Sequence, residues 1–250
     1  MIELSIIILT FNHLSDTVRC LDSLKEMLDA DDVEVIVVDN ASNDGTPQTI
    51  TRRYPKIRLT VNDRNRGVAA ARNQGIEQAQ GQKILILDND TIVNTKAIRG
   101  MMQYLDAHDQ VGLCSCRMTD ALGYVQPSFR PFPSLKSKVL SFMGLRLAKS
   151  QFSFDDEGAI EPFYVIGACQ MIRREALEQV GALDEAIFYG PEDADFCLRL
   201  RQAGWQIKYL PQYSIIHTYY RRTARRPFSR LGLKHIHGLL HLYRKHRRLS

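Results

Sequence analysis

The stretch Lys83-Ile-Leu-Ile-Leu-Asp-Asn-Asp90 joins a short apolar run to two carboxylates. An unbroken apolar run of this length is typical of a strand that is buried on both faces of a sheet. Because residues i and i+2 of a strand face the same side, we expect Asp88 and Asp90 to converge where the strand ends. Oxygen ligands in such a pair suit Mg²⁺ or Mn²⁺ shared with a diphosphate. The alternative is a strand-end turn whose aspartates cap the next helix.

Strand and helix signals alternate on both sides of this stretch. Apolar runs predict strands, and apolar residues spaced by three and four predict amphipathic helices. The predicted strands are 4–9, 33–38, 57–61, 83–87 and 111–117, and the predicted helices are 14–28, 67–80, 96–107 and one that begins at Thr46-Pro47. This alternation indicates an α/β fold with a mostly parallel sheet in three Rossmann-like layers. Ligands of such sheets bind beyond the carboxyl ends of the strands.

The alternation is interrupted over 124–162, a segment rich in proline. A segment of this length is either a lid or substrate loop or a small helical insertion. The predicted elements after it are strands over 163–172, 207–210 and 213–216 and helices over 173–180 and 191–203. We therefore interpret 1–217 as one domain and 218–250 as a tail.

Charge separates the domain from the tail. The 250-residue chain has 33 Lys and Arg against 28 Asp and Glu, a net charge of +5. Ten of the basic residues and no acidic residue follow position 216, so the domain is acidic and the tail strongly basic. This excludes a uniformly basic nucleic-acid-coating protein, and no nucleic-acid partner is predicted. Leu233, Ile236, Leu240 and Tyr243 have helical spacing.

A basic amphipathic helix over 218–250 suits an anionic membrane surface. The alternatives are a helix that packs on the domain and a contact in a homodimer. The five cysteines are odd in number and have no paired CxxC spacing, which is typical of reduced thiols in a cytosolic protein. The expected location is therefore cytoplasmic, with the tail allowing attachment to the inner face of the plasma membrane.

Three further positions place polar side chains near the expected ligand edge. Asp39 follows the strand 33–38 and would face the nucleotide crevice, unless it serves only an Asx turn. Arg72 lies in an alanine-rich helix and would reach a phosphate or the base, unless it is an ordinary exposed arginine. His217 ends the last predicted strand, where it would complete a divalent-metal site or play a structural part.

Gly190-Pro-Glu-Asp-Ala-Asp195 begins a helix with three acidic residues in its first turn. Capping and the helix dipole favour this arrangement without any catalytic role. The functional interpretation makes Asp193 or Glu192 a general base that deprotonates an acceptor hydroxyl.

Taken in order, these motifs resemble family 2 glycosyltransferases of the GT-A fold, an inverting class that uses nucleotide-diphosphate sugars. The resemblance spans 4–217 and is greatest to rhamnosyltransferase-like members that build bacterial polysaccharides. It departs from them after His217, where Thr218-Tyr-Tyr-Arg-Arg222 replaces a stretch rich in Gly and Ser. The motifs are Ser5-Ile-Ile-Ile-Leu-Thr-Phe-Asn12, Val38-Asp-Asn-Ala-Ser-Asn-Asp-Gly-Thr46, 65–75, Leu87-Asp-Asn-Asp90, Ile166-Gly-Ala-Cys-Gln-Met-Ile-Arg-Arg174, Gly181-Ala-Leu-Asp184 and Gly190-Pro-Glu-Asp193.

The resemblance implies a role for each matching residue. It makes 1–120 the nucleotide-sugar half and 121–217 the acceptor half. Asp193 would be the catalytic base and Glu192 would help to place the acceptor. Asp90 would be the more direct ligand of Mg²⁺ or Mn²⁺, with Asp88 and His217 beside it. The residues expected to bind the nucleotide sugar are Thr10, Asn12, Asp39, Asn65, Arg72, Asp88, Asn89 and Asp90.

The expected partners are a UDP- or dTDP-sugar donor and a glycan or lipid-linked acceptor. Two other functions compete with this interpretation. A sugar-phosphate nucleotidyltransferase would need a glycine-rich loop with Arg or Lys after the first strand, where the chain has Thr10-Phe-Asn-His13. A non-catalytic module that binds carbohydrate or a polyanion would have no need for converging aspartates.

Overall fold

The computed structural model describes residues 1–130, 158–218 and 229–246. Elements are labelled along these residues. The first part contains β1 (Leu4–Thr10), α1 (Leu14–Ser23), α2 (Lys25–Leu28), β2 (Val33–Asp39), α3 (Thr46–Arg53), β3 (Arg58–Val61), α4 (Val68–Gln78), β4 (Lys83–Asp88), β5 (Thr91–Ile92), α5 (Thr95–Ala107), β6 (Val111–Thr119), β7 (Val125–Gln126) and β8 (Phe129–Arg130). The second part contains β9 (Tyr164–Val165), β10 (Cys169–Arg173), α6 (Arg174–Val180), α7 (Glu192–Gln202), β11 (Gln206–His217) and α8 (Arg230–Lys245).

The main sheet has the strand order β3-β2-β1-β4-β10-β6-β11-β5, with β7 paired to β6. Strands β3, β2, β1 and β4 are parallel, as are β6 and β11. Strand β10 runs antiparallel to both β4 and β6. The predicted α/β fold is confirmed, and the parallel character is strongest in the first half. Because β10 is reversed, its amino end lies at the same sheet edge as the carboxyl ends of β1, β2, β4 and β6.

The sheet is buried on both faces, as the apolar strand runs predict. Ile6 and Ile8 pack in one apolar cluster, and Ile7 packs in another cluster on the opposite face. Helix α4 approaches Ile7 closely because it carries Gly75, where an added Cβ would lie 2.5 Å from Ile7 Cγ2. The small residues of 65–75 therefore bring the amino end of α4 close to the edge where the strands end.

Several element boundaries differ from those predicted. The helix expected over 14–28 is divided into α1 and α2, and the strand expected over 163–172 is divided into β9 and β10. The two strands expected at 207–210 and 213–216 are one strand, β11, with a register shift between Leu210 and Ser214. Pro191 is the N-cap of α7 rather than its first residue. Most of the predicted 124–162 excursion, 131–157, lies outside the described residues.

The basic tail forms helix α8, whose Leu242 is fully buried in the apolar cluster that also contains Ile7. The tail residues 219–228 and 247–250 lie outside the described part of the chain. Among the described helices, none is long and apolar enough to cross a membrane. All five cysteines are free and buried, as expected for reduced thiols.

Candidate active site

Two aspartates and a histidine meet where β4 and β11 end. Ligand atoms of Asp88, Asp90 and His217 all lie within 4.8 Å of one another. The pairing of β5 with β11 places His217 opposite Thr91, directly after Asp90. His217 Nε2 is 3.3 Å from Asp90 Oδ1. Its other ring nitrogen, Nδ1, lies 3.1 Å from Gln126 Oε1, so the imidazole is oriented from both sides.

The chemistry of this cluster fits a divalent cation. Carboxylate oxygens suit Mg²⁺ and Mn²⁺, and an imidazole nitrogen is a common ligand of divalent transition metals. Burial lowers the pKa of His217, but the hydrogen bond with Asp90 and the charges of Asp88 and Asp90 together outweigh burial and leave that pKa raised. The Asp88 side chain keeps 34% of its surface exposed and that of Asp90 18%, so both carboxylates face an accessible space.

Arg72 connects this cluster to a second acidic group. Its Nη2 donates to Asp88 Oδ1 at 2.6 Å and to the Gly167 carbonyl at 2.9 Å, while Nη1 donates to Glu192 Oε1 at 3.2 Å. An added Cβ at Gly167 would lie 2.5 Å from Nη1, so the close approach requires glycine. In this structure the buried guanidinium spans two carboxylates, and the predicted contact of Arg72 with a phosphate or the base stays a prediction.

The second acidic group is the pair Glu192 and Asp193, the first two residues of α7. Asp193 Oδ2 accepts from the Gly167 backbone N–H at 3.2 Å, and Oδ1 accepts from its own neighbour Ala194 N–H at 2.7 Å. Glu192 is 6% exposed, and its Oε2 has no hydrogen-bond partner among the described residues. Asp193 is only half-buried, so it is the more accessible member of the pair.

Burial also changes the protonation of this pair. Burial and then the neighbouring Asp193 charge raise the pKa of Glu192 to about 7, against the opposing effect of Arg72. Burial raises the pKa of Asp193 too, although N–H donors and Arg72 oppose it. A carboxylate with a raised pKa is a stronger proton acceptor than an exposed aspartate, as general-base catalysis requires.

Asp39 ends β2, beside Thr10 of β1 in the sheet register. Its side chain is fully buried, and Oδ1 accepts from the Ser42 backbone N–H at 2.8 Å. Its Oδ2 is buried and has no hydrogen-bond partner among the described residues. An unpaired buried carboxylate oxygen is costly, so Asp39 resembles a ligand acceptor more than a simple turn residue.

The remaining residues predicted to bind the nucleotide sugar hold loops in this structure. Asn89 Nδ2 donates to Thr17 Oγ1 at 2.9 Å and to Thr10 Oγ1 at 3.3 Å. Asn12 Oδ1 accepts from the Asn43 backbone N–H at 3.0 Å. Asn65 Oδ1 accepts from the Gly67 backbone N–H at 2.9 Å. Thr10, Asn12, Asn65 and Asn89 all lie at the ligand edge, and their contact with a donor stays a prediction.

Sequence reasoning missed three residues that organise the site. Asn40 Oδ1 accepts from the Arg66 backbone N–H at 2.9 Å, and Asn40 Nδ2 donates to the Gly67 carbonyl at 3.2 Å. Gly167 binds both Arg72 and Asp193 through its backbone, and Gln126 orients His217. Asn40 lies in the motif 38–46 and Gly167 in the motif 166–174, so the motifs could have identified both residues. Nothing in the sequence marks Gln126.

Helix α8 packs against the turn that leads to the acid pair. An added Cβ at Gly238 would lie 2.7 Å from the Gly190 carbonyl oxygen, and His235 Nδ1 is 3.1 Å from the same oxygen. His246 Nε2 and Lys245 Nζ lie 2.8 Å and 2.9 Å from Asp195 Oδ1, which belongs to α7. Burial raises the pKa of Asp195, but hydrogen bonds from His246 and Lys245 together with the Arg199 guanidinium outweigh burial and hold that pKa below its usual value.

The fold resembles that of solved structures that include a mannosyltransferase. The mannosyltransferase PcManGT from Pyrobaculum calidifontis, in complex with GDP-Man and Mn²⁺, matches 98% of this chain with a TM-score of 0.67 and 22% identity. Staphylococcus aureus TarS matches 87% with a TM-score of 0.64 and 20% identity. The chain spans 64% and 60% of these two structures, respectively. The fold is therefore that of the GT-A glycosyltransferases.

The sequence of the chain identifies the family to which it belongs. The model of the family described as Glycosyl transferase family 2 matches residues 5–181, so the chain belongs to this family of glycosyltransferases. The N-acetylglucosaminyl-diphospho-decaprenol L-rhamnosyltransferase of Mycobacterium tuberculosis is 29% identical over 86% of this chain and 76% of its own length. The dTDP-rhamnosyl transferase RfbF of Shigella flexneri is 24% identical over 84% of this chain and 67% of its own length.

Proposed function

We propose that this protein transfers a sugar from a nucleotide-diphosphate sugar to an acceptor hydroxyl, with inversion at the anomeric carbon. The observation that carries the proposal is the Arg72 guanidinium, which bonds Asp88 of the metal cluster and Glu192 of the acid pair. One side chain thus joins a residue of the proposed metal site to the acid pair that contains the proposed base. A single displacement needs both groups on opposite sides of one anomeric carbon.

In the proposed step, Asp193 takes the proton of the acceptor hydroxyl while that oxygen forms a bond to the anomeric carbon. The bond from the anomeric carbon to the diphosphate oxygen breaks, and the nucleoside diphosphate leaves with the electron pair. Asp193 suits this task because it is half-buried, has a raised pKa and is oriented by the Gly167 backbone N–H. Glu192, paired with Arg72, would position the acceptor.

Asp90, Asp88 and His217 would hold Mg²⁺ or Mn²⁺, which supplies positive charge for the leaving diphosphate. Asp90 is the more direct ligand in this proposal, because one oxygen of Asp88 is already bonded to Arg72. Asp39, at the neighbouring strand end, would accept a hydrogen bond from the nucleoside through its unpaired Oδ2. This order of groups along one edge matches a donor with its nucleoside, diphosphate and sugar extended across the strand ends.

We further propose a deoxyhexosyl donor of the rhamnose type, bound as a dTDP- or UDP-sugar, and a glycan or lipid-linked acceptor. The support is that two relatives aligned over more than four fifths of this chain are named as rhamnosyl transferases. One of them is named for an acceptor on a decaprenyl diphosphate. The setting would be bacterial cell-surface polysaccharide synthesis, at the cytoplasmic face of the membrane.

The test is release of nucleoside diphosphate from a panel of UDP-, dTDP- and GDP-sugars, with and without Mn²⁺ or Mg²⁺. We expect turnover with one nucleotide class, dependence on the metal, and loss of turnover in Asp193→Asn by about a thousandfold. Donor binding, read as a metal-dependent shift in melting temperature, should survive in Asp193→Asn. Unchanged turnover in that variant contradicts the assignment of the base.

A further inference from the structure

Helix α8 has two faces of different character. The buried face packs on the domain through Gly232, Gly238 and Leu242. On another face, Leu233, Ile236 and Leu240 are 54%, 40% and 48% exposed. At 100° per residue these two sets lie on roughly opposite sides of the helix. The helix is therefore already docked by one face and presents a second apolar face outward.

Basic side chains border this outer face. Arg230, His237 and Arg244 recur every seven residues, all exposed, and form one flank of the apolar stripe. Lys234 is exposed as well, with its ammonium group 3.1 Å from the centre of the Phe188 ring. No Asp or Glu follows Asp195 in the sequence, so no acidic residue of α8 offsets this charge.

We propose that the outer face of α8, formed by Leu233, Ile236 and Leu240 with Arg230 and Arg244 on its flank, docks onto an anionic lipid surface. An apolar stripe with flanking cations is the pattern by which helices lie in the boundary between head groups and acyl chains. Each Lys or Arg near such a surface is attracted by the anionic head groups. A second copy of this chain is a poorer partner, because a symmetric contact would bring identical basic flanks together.

The inner face of α8 gives this docking a consequence for the reaction. Gly238 and His235 contact the carbonyl of Gly190, two residues before Glu192. A bilayer bound to the outer face would therefore lie one helix away from the turn that carries the acid pair. This part of the inference rests on the proposed function, since it places the catalytic base beside a membrane that carries the acceptor.

The experiment is co-sedimentation of the full chain with vesicles of phosphatidylcholine that contain about one third phosphatidylglycerol, compared with pure phosphatidylcholine. We expect binding to the anionic vesicles, weaker binding at high salt, and little binding to the neutral ones. The triple variant Leu233→Ser/Ile236→Ser/Leu240→Ser should lose about hundredfold in vesicle affinity. The double variant Arg230→Gln/Arg244→Gln should lose about tenfold.

Matched controls distinguish vesicle binding through this face from nonspecific binding through other exposed residues. Leu122→Ser removes an 82% exposed leucine elsewhere, and Lys25→Gln/Arg52→Gln removes the same charge from another surface. Both controls should bind vesicles as the parent chain does. Equal vesicle binding by the triple variant and the parent overturns the proposal. The proposal is also overturned if the only effect of the triple substitution is to dissociate a dimer. Metal-dependent release of nucleoside diphosphate should be unchanged in the triple variant, so failure of the lipid proposal is distinguishable from failure of the proposed function.

Discussion

The two ends of the candidate site are built in different ways. At the proposed donor end, Asp39 and Thr10 end parallel strands and Asn89 follows one. Asp39 accepts from the Ser42 backbone N–H, and Asn89 donates to Thr10 and Thr17. At the acid end, the buried Glu192 accepts from Arg72, and the half-buried Asp193 accepts from the Gly167 backbone N–H. The donor end therefore resembles a rigid scaffold, whereas the acid end depends on a balance of buried charges. Substitutions should affect function more at the acid end and at the proposed metal site than at the donor end.

The largest effect is expected where the two ends meet, in Asp90→Ala. The variant removes the carboxylate that lies nearest to His217, so both metal affinity and charge stabilisation at the diphosphate should fall. We expect turnover to drop about a thousandfold and the donor-dependent shift in melting temperature to lose its dependence on Mn²⁺. Asp109→Ala, at an exposed position, is the control and should behave as the parent chain. If the shift in melting temperature still depends on Mn²⁺ in Asp90→Ala, the assignment of Asp90 as a metal ligand is contradicted.

Arg72→Met should be next in size, because it leaves two carboxylates without their shared cation. The free energy of unfolding should fall by about 3–5 kcal/mol, as for other buried ion pairs that lose one partner. Arg72 lowers the pKa of Asp193 and of Glu192, so its removal raises both. A smaller fraction of Asp193 is then ionised at a given pH, and the acid limb of kcat/KM should move to higher pH.

The control for Arg72→Met is Arg66→Met, since Arg66 is an exposed residue of the same segment and, among the described residues, forms its ion pair with an exposed aspartate. It should change neither the unfolding free energy nor the pH profile measurably. An acid limb that stays in place when Arg72 is replaced would show that the acid pair titrates independently of this bridge.

Gly238→Val tests whether the acid end depends on α8. The new Cβ would lie 2.7 Å from the Gly190 carbonyl oxygen, so the helix or the turn must move. We expect kcat to fall several-fold with little change in donor KM, and the unfolding free energy to fall by about 1–3 kcal/mol. His237→Val, on the exposed side of the same helix, is the control. A fall in stability with unchanged kcat would limit α8 to a structural role.

The smallest effect is expected at the donor end, in Asn89→Ala. Its amide group bonds Thr10 and Thr17, so the variant should lose about 1 kcal/mol of unfolding free energy while donor KM changes less than about twofold. Chemical denaturation and initial-rate kinetics measure the two quantities. A tenfold rise in donor KM at unchanged stability would instead confirm the sequence-based prediction that Asn89 touches the nucleotide sugar.

The same contrast explains what could be predicted from the sequence. Apolar runs that end in polar residues located β1, β2 and β4, because neighbouring parallel strands place their carboxyl ends at one edge. The convergence of Asp88 with Asp90 was predicted from strand periodicity, and their meeting with His217 from its place at a strand end. These inferences need only local sequence and one general rule of α/β folds.

The acid end was less predictable because Arg72 contacts Gly167 and Glu192 from 95 and 120 positions away. Arg72 and Gly167 meet only because β10 is inserted in reverse between β4 and β6, and no local pattern encodes that insertion. The sequence likewise did not show that Leu233, Ile236 and Leu240 face outward. Both faces of α8 carry apolar residues, and only the packing of Gly238 and Leu242 decides which face is buried.

The central claim is that Asp193 and the metal cluster act on opposite sides of one anomeric carbon in a single displacement. The most direct measurement is the anomeric configuration of the product, read by NMR from the one-bond carbon–hydrogen coupling of the transferred sugar. A product whose anomeric configuration is opposite to that of the donor is the predicted result. Retention of the donor configuration would contradict the account, since a single attack from the side of Asp193 cannot produce it.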